Sequence, residues 1–335
     1  MGQCGCRQCG CNEKEVDISS QVEVKSLPTS TLYTDTSPRK KAKDTSSEVF
    51  LLPKLTTKDI QKIVQLQAYW RMYQVKKQVS HLLHTKQRRN NDTPTSDLET
   101  RPPYTFASGA VYTGQWLGLD RHGEGTQQWP DGAKYAGSWV QNKAAGHGVF
   151  WHVDGDVFVG HWMEDKAFGM GIYVHKNGAK YFGQWKDDLQ QGFGVETWAD
   201  GSHYSGFYHN GAKSGLGTYS WHDGSIYSGH WVDNKIEGFG IYTWIDGRRY
   251  EGEWKNNNMH GRGLYTWRDG RKFEGEYSND KKEGYGEYTW ADGRVYKGNW
   301  LAGKQHGDGV YYPVDGPLQR GIWRDGKKVA DKPEF

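Results

Sequence analysis

The chain has 335 residues, 25% of them charged, with 45 Gly, 16 Trp, 21 Tyr and 11 Phe and a formal net charge of +3. Leu, Ile and Val are too sparse for an aliphatic globular core, so any core must be a layer of rings. No apolar run reaches the roughly 18 residues that span a bilayer, and no apolar stretch near the start resembles a secretory signal, which gives the expectation of a cytosolic body.

In chain order, all four cysteines come first, as Cys4, Cys6, Cys9 and Cys11. Gly2 after the initiator Met is an acceptor for N-myristoylation, and Cys4 and Cys6 beside it are acceptors for palmitoylation. Two acyl chains make a stable anchor where one does not. Position 6 is Cys where the myristoylation pattern has Ser or Thr. Four thiolates at this spacing are also open to a metal reading, although structural zinc sites space their ligands more widely and come with a small fold. A third reading is a plain solvated tail. Residues 12–53 are rich in Ser, Thr, Lys, Asp and Glu, with Pro28, Pro38 and Pro53, and read as a disordered tether, so that 1–53 is expected to be a disordered, Cys-rich tail.

Residues 54–84 change pattern. Thr56-x-x-Asp59 forms a capping box, and Ile60, Ile63, Val64, Trp70 and Tyr73 recur at helical spacing. Nine basic residues against one acid, Asp59, lie in 54–89. A basic amphipathic helix of this kind suits a Met-lined, acid-rimmed groove. Leu66, Gln67, Arg71, Lys76 and Val79 carry a resemblance to the IQ motif, with Met72 where that motif has Gly, and Trp70 is a further apolar anchor of the same helix. The resemblance implies a calmodulin-like EF-hand partner. A helix capping the first hairpin and a membrane-surface helix remain alternatives. Residues 85–108 read as a second polar linker containing Pro94, Pro102 and Pro103.

From Tyr112 a constant step of 23 residues lands on Tyr135, Phe158, Tyr181, Tyr204, Tyr227, Tyr250, Phe273 and Tyr296. Such a period without insertion is the signature of a repeat array over 109–335. Within one unit Tyr181, Gly183 and Trp185 share one parity and Gly192, Gly194 and Trp198 share another. Period-two alternation means two strands with one aromatic and glycine face. Asp200-Gly201 is read as the tight primed turn. The connections 186–191, 232–237 and 255–260 are read as the longer turns. Gly192 and Gly194 are expected to leave slots for rings, and consecutive Trp rings (Trp185, Trp231, Trp254, with Trp198, Trp244 and Trp267) to form a ladder with Tyr227 and Tyr250. The fold expected is all-β: an elongated antiparallel β-meander of stacked 23-residue hairpin repeats, some eighteen strands, after a disordered tail and one basic α-helix.

Tyr-x-Gly-x-Trp, Gly-x-Gly and Asp-Gly in fixed register resemble the MORN repeat, in nine copies from about 110 to 317 and a fragment ending at Trp323. The resemblance implies a scaffold of cilium or cytoskeleton, with cytoskeletal or axonemal proteins as partners. No nucleophile, phosphate loop or recurring His spacing points to catalysis, a metal or a cofactor. A phosphoinositide-binding module tethered to a membrane is the alternative. Residues 1–111 hold 17 Lys/Arg against 11 Asp/Glu, and the rest hold 26 against 29. An acidic array speaks against both lipid headgroups and nucleic acid.

Overall fold

The computed structural model describes residues 97–332. The tail and helix expected over 1–53 and 54–84, with Gly2, Cys4, Cys6, Leu66, Gln67, Trp70, Arg71, Lys76 and Val79, lie outside the described residues.

The described chain is all-β: twenty-two strands in one open antiparallel sheet, each hydrogen-bonded to the strand next to it in sequence from β3 (Val111–Leu117) onward. β1 (Leu98–Thr100) and β2 (Tyr104–Thr105) both pair with β3, so strand begins inside the segment read as a linker. Pro102 and Pro103 fall between these two short strands, where neither has to donate to a ladder. Splitting the first edge in this way blunts it against pairing with another chain. At the far edge Gln319–Arg324 and Lys327–Asp331 add two strands beyond the nine expected hairpins.

One unit shows the plan. Strand Lys180–Lys186 and strand Leu189–Thr197 are joined by only two residues, Asp187 and Asp188, both at positive φ (49° and 66°). The tight primed turn is therefore this connection, and the Asp-Gly connection is the longer loop, the reverse of the expectation. Asn and Asp tolerate the left-handed region, and the pair recurs as Asn256-Asn257 and Asn279-Asp280. These side chains also staple units together. The backbone N–H groups of Ala144, Ala167, Lys213 and Met259 donate to Asp165, Asp188, Asn234 and Asp280, each 21 residues further on.

In the longer loop Gly201 N–H donates to Trp198 O at 3.1 Å, Trp198 N–H donates to Ser202 O at 2.9 Å, and Gly201 takes φ +91°. The loop Asp accepts from the backbone two residues on, as Asp200 does from Ser202 at 2.8 Å. This Asx turn is why Asp precedes the Gly in so many units.

Each within-unit hairpin also contains a bulge, between Gln190 and Gly194 in this unit, whereas pairing to the next unit is regular. Gly192 sits in the bulge at φ +68°. The bulge frees the N–H of Phe193, which donates to Gln184 Oε1 at 2.9 Å, and Glu124 and Arg262 donate likewise to Gln115 and Glu253.

Candidate interaction surfaces of the ribbon

One face of the sheet carries the rings. Tyr181 is buried over Gly183 and Gly194, and a Cβ on Gly194 would come within 2.6 Å of its ring. The second Gly of Gly-x-Gly therefore makes the ring slot, while Gly192 serves the bulge. The Tyr181 hydroxyl donates to Gln184 O at 3.0 Å, as Tyr227 does to His230 O and Tyr250 to Glu253 O. Burial raises the hydroxyls of Tyr112, Tyr242 and Tyr296 to about 12.

The ring ladder alternates. Tyr181 meets Trp185 at 5.1 Å, Tyr227 meets Trp231 at 5.4 Å and Trp254 at 5.6 Å, and Tyr250 meets Trp254 at 5.0 Å, all edge to face. The expected succession of Trp on Trp is not what forms. Trp residues of neighbouring units stand two strands apart, about 10 Å, so a Tyr or Phe must fill the interval. Six of the ladder's indole N–H groups donate to a glycine carbonyl of the preceding unit, among them Trp185 to Gly171 O, Trp231 to Gly217 O and Trp254 to Gly240 O, at 3.0 to 3.3 Å. Trp116, in the first unit, has no preceding unit, and its Nε1 has no partner among the described residues.

A second row, of half-buried Trp and largely buried Tyr rings, lies beside the first on the same face. Trp198 stacks on Tyr219 at 5.2 Å, Trp244 on Tyr265 at 5.3 Å and Trp267 near Tyr288 at 5.8 Å. Units 2 and 3 break this row. There His175 Nδ1 and the Tyr173 hydroxyl each lie 2.9 Å from Asp156 Oδ2, and Lys176 N–H donates to Asp156 Oδ1. Burial alone would raise Asp156, but these bonds outweigh it and hold the carboxyl below its ordinary range. Burial lowers His152 beside them. No group of three His, Cys, Asp or Glu among the described residues is placed to hold a metal ion.

The residue opposite each ladder Trp or Tyr, ten positions into the unit, points into the ring layer, and sequence reasoning missed it. It is Lys282 in unit 8, whose Nζ lies 5.4 Å from the Trp267 centroid, 5.1 Å from Phe273, 4.7 Å from Tyr288 and 5.0 Å from Trp300. Lys213 in unit 5 stands over Trp198 and Tyr204 in the same way, 3.5 Å from Glu196. Burial pushes the Lys282 ammonium down to about 8. The negative ring faces favour its charged form and act the other way.

The opposite face is exposed and changes along the ribbon. In units 2 to 4 directly paired residues Val149, Val159, Ile172, Phe182 and Val195 make an apolar row across successive strands, with Val159, Ile172 and Phe182 exposed. The same row in units 7 to 9 reads Glu251, Leu264, Glu274, Glu287 and Lys297. Arg249 pairs with Glu251 and Lys297 with Glu287, each at 2.7 Å.

Nine segments, 112–134, 135–157, 158–180, 181–203, 204–226, 227–248, 250–270, 273–293 and 296–316, match the family model described as MORN repeat. Together they make up more than half of the chain. No curated protein matches it. Among solved structures the chain is similar to the TCP10 domain of Danio rerio CPAP, at 12% identity over 59% of this chain and 94% of that one, with a TM-score of 0.34. The TCP domain of SAS-4 of Drosophila melanogaster is similar at 13% identity, over 51% and 86% of the two chains, with a TM-score of 0.29. An inactive virginiamycin B lyase from Staphylococcus aureus follows at 12% identity, 71% and 89%, and 0.14. Scores this low do not amount to a shared overall fold.

Proposed function

The chain belongs to the MORN repeat family, and we propose that it is a non-enzymatic scaffold that binds protein partners along its ribbon. The observation that supports this is the contrast between the two faces. The ring ladder repeats almost unchanged from unit to unit, while the outer row passes from apolar in units 2 to 4 to acidic in units 7 to 9. A layer that stays constant fixes the spacing of the strands, and a face that varies on it offers different partners different places to dock.

In this reading the partners are cytoskeletal or axonemal proteins, and the setting is a cilium, the cytoskeleton or a membrane junction with it. A calmodulin-like EF-hand protein binds residues 54–84 through Leu66, Gln67, Trp70, Arg71, Lys76 and Val79, and acyl chains on Gly2, Cys4 and Cys6 supply membrane contact. The test of the scaffold is to isolate the endogenous protein and identify what co-purifies, beside a Phe182→Asp variant that charges the outer row. Loss of a defined partner at unchanged thermal stability is expected. Recovery of no partner protein at all would sink the reading. For the basic segment, a peptide of residues 58–83 should bind calmodulin at micromolar Kd or tighter, with Trp70 fluorescence shifting blue. No binding with or without calcium would remove that partner. Mass spectrometry of the first residues tests acylation, and an unmodified tip with free thiols would remove the anchor.

A further inference from the structure

The cage that encloses Lys282 recurs in unit 2 without its lysine. Six periods before Trp267, Phe273, Tyr288 and Trp300 stand Trp129, Tyr135, Phe150 and Trp162, and six periods before Lys282 stands Ala144. The two sets of rings share one geometry. Trp129 lies 5.8 Å from Phe150, as Trp267 does from Tyr288. Tyr135 lies 5.2 Å from Trp162 at 82°, against 5.1 Å and 80° for Phe273 and Trp300. Phe150 and Trp162 stand 6.0 Å apart at 45°, Tyr288 and Trp300 6.1 Å apart at 44°.

These four rings and Ala144 form part of the lining of a longer cleft of about 860 Å³ that runs from Phe106 to Asp188, with Tyr135, Ala144 and Trp162 buried at its floor. The Trp139 paired with Ala144 does not by itself use up the room, since Met259 and Gln305 fit the same position opposite Trp254 and Trp300. The cleft is bordered by Asp131, Asp165 and Asp188. Among the cations of its lining, Arg121 stays at the unit 1 end, bonded to Gln127 and Asn142, over Trp139 and within the field of Asp165, while Lys143 pairs with Glu164 and Lys166 with Asp187.

We infer that the four-ring cage at Ala144 receives a lysine side chain from a basic segment of a partner protein. In units 5 and 8 the chain's own Lys213 and Lys282 show that an ammonium fits among these rings. At Ala144 the side chain that would fill the cage is missing, the rings are kept, and the carboxylates beside them favour a cation. This deepens the scaffold reading, on which it rests, by naming the chemistry of one partner.

The test titrates the full-length protein with hexalysine and with fully acetylated hexalysine by calorimetry, followed by carbodiimide cross-linking and mass spectrometry. Expected are binding of hexalysine only, cross-links at Asp165 or Asp188, and at least a tenfold loss of affinity in Ala144→Lys, which places the chain's own ammonium in the cage. Ala144→Met, which fills the position with the side chain that Met259 places opposite Trp254, should lose the binding likewise, which keeps the idea testable if Ala144→Lys misfolds. Equal affinity in wild type and a folded Ala144→Lys or Ala144→Met would overturn the cage. Cross-links from Asp165 or Asp188 to the chain's own lysines of 54–89 would overturn the assignment to a partner. The scaffold reading fails separately, by the absence of any co-purifying protein.

Discussion

Units 2 and 3 and units 5 to 8 share one ring ladder and differ in nearly everything laid beside it. Both have the Tyr or Phe over paired glycines and the edge-to-face Trp or Tyr. Units 5 to 8 add a continuous second row, Tyr219, Trp221, Tyr242, Trp244, Tyr265 and Trp267, and fill the tenth position with Lys213, Ile236, Met259 and Lys282. Units 2 and 3 put His152 and His175 in that row, Ala144 and Ala167 at the tenth position, and an apolar row on the outer face. The ladder is what the fold requires. The remaining positions are free to seal a unit, as in units 5 to 8, or to leave a cleft beside it, as at Ala144.

The strongest way to break this comparison is to remove a ladder Trp from each region. Trp231→Ala should cost about 3–5 kcal/mol, as truncation of a buried aromatic does. Trp162→Ala, beside an existing cleft, should cost less, about 2 kcal/mol. Urea unfolding followed by circular dichroism measures both, and equal losses would erase the distinction between sealed and open units.

Next in size is the glycine pairing that both regions share. Ala at Gly240 puts a methyl 2.5 Å from the Tyr227 ring, and about 2–3 kcal/mol of overpacking is expected. Gly132, at φ +98° with nothing within 4 Å of a new Cβ, should lose only about 1 kcal/mol on the same change. A smaller fall in Tm for Gly240→Ala than for Gly132→Ala would refute the ring slot.

The filled cage gives a pH test. A lysine lowered to about 8 in the folded chain, from 10.5, binds its proton less tightly than in the unfolded chain. Stability must therefore rise as pH goes from about 8 to 10.5, by about 2 kcal/mol once the opposing ring faces are allowed for. Lys282→Met should flatten that rise. A wild-type stability curve level across this window would mean that the ring faces fully offset burial.

The smallest effect belongs to the polar network of unit 3. Asp156→Asn should cost about 1 kcal/mol near neutral pH through weakened hydrogen bonds to Tyr173 and His175. Because the Asp156 carboxyl is held low, its contribution is present above the ordinary aspartate range near 4 and is lost as pH falls through and below it. If the difference between wild type and variant does not shrink in acid, the network is not what stabilises unit 3.

The period of 23, the strand parity and the aromatic and glycine face were legible in the sequence, because strand alternation is set by the covalent geometry of the chain itself. The turns were not. Asp200-Gly201 carries the strongest local signal for a tight turn, yet Asp187 and Asp188 make it. The outcome depends on a bulge at Gly192 and on contacts 21 residues away that no dipeptide encodes. That reversal also concealed the cage. Taken as part of a long solvated turn, Lys282 passes for a surface charge. With a two-residue turn at Asn279-Asp280, strand resumes at Lys281 and Lys282 is carried under the rings.

The sequence by itself thus determined what the chain must bury, the rings on one face of its strands, and how often. Only the tertiary structure decided which rings touch, where each strand ends, and that the rings over Ala144 stand as they do over Lys282. Those relations join residues two strands or six units apart, and their distances are fixed by sheet pairing, which no local pattern specifies.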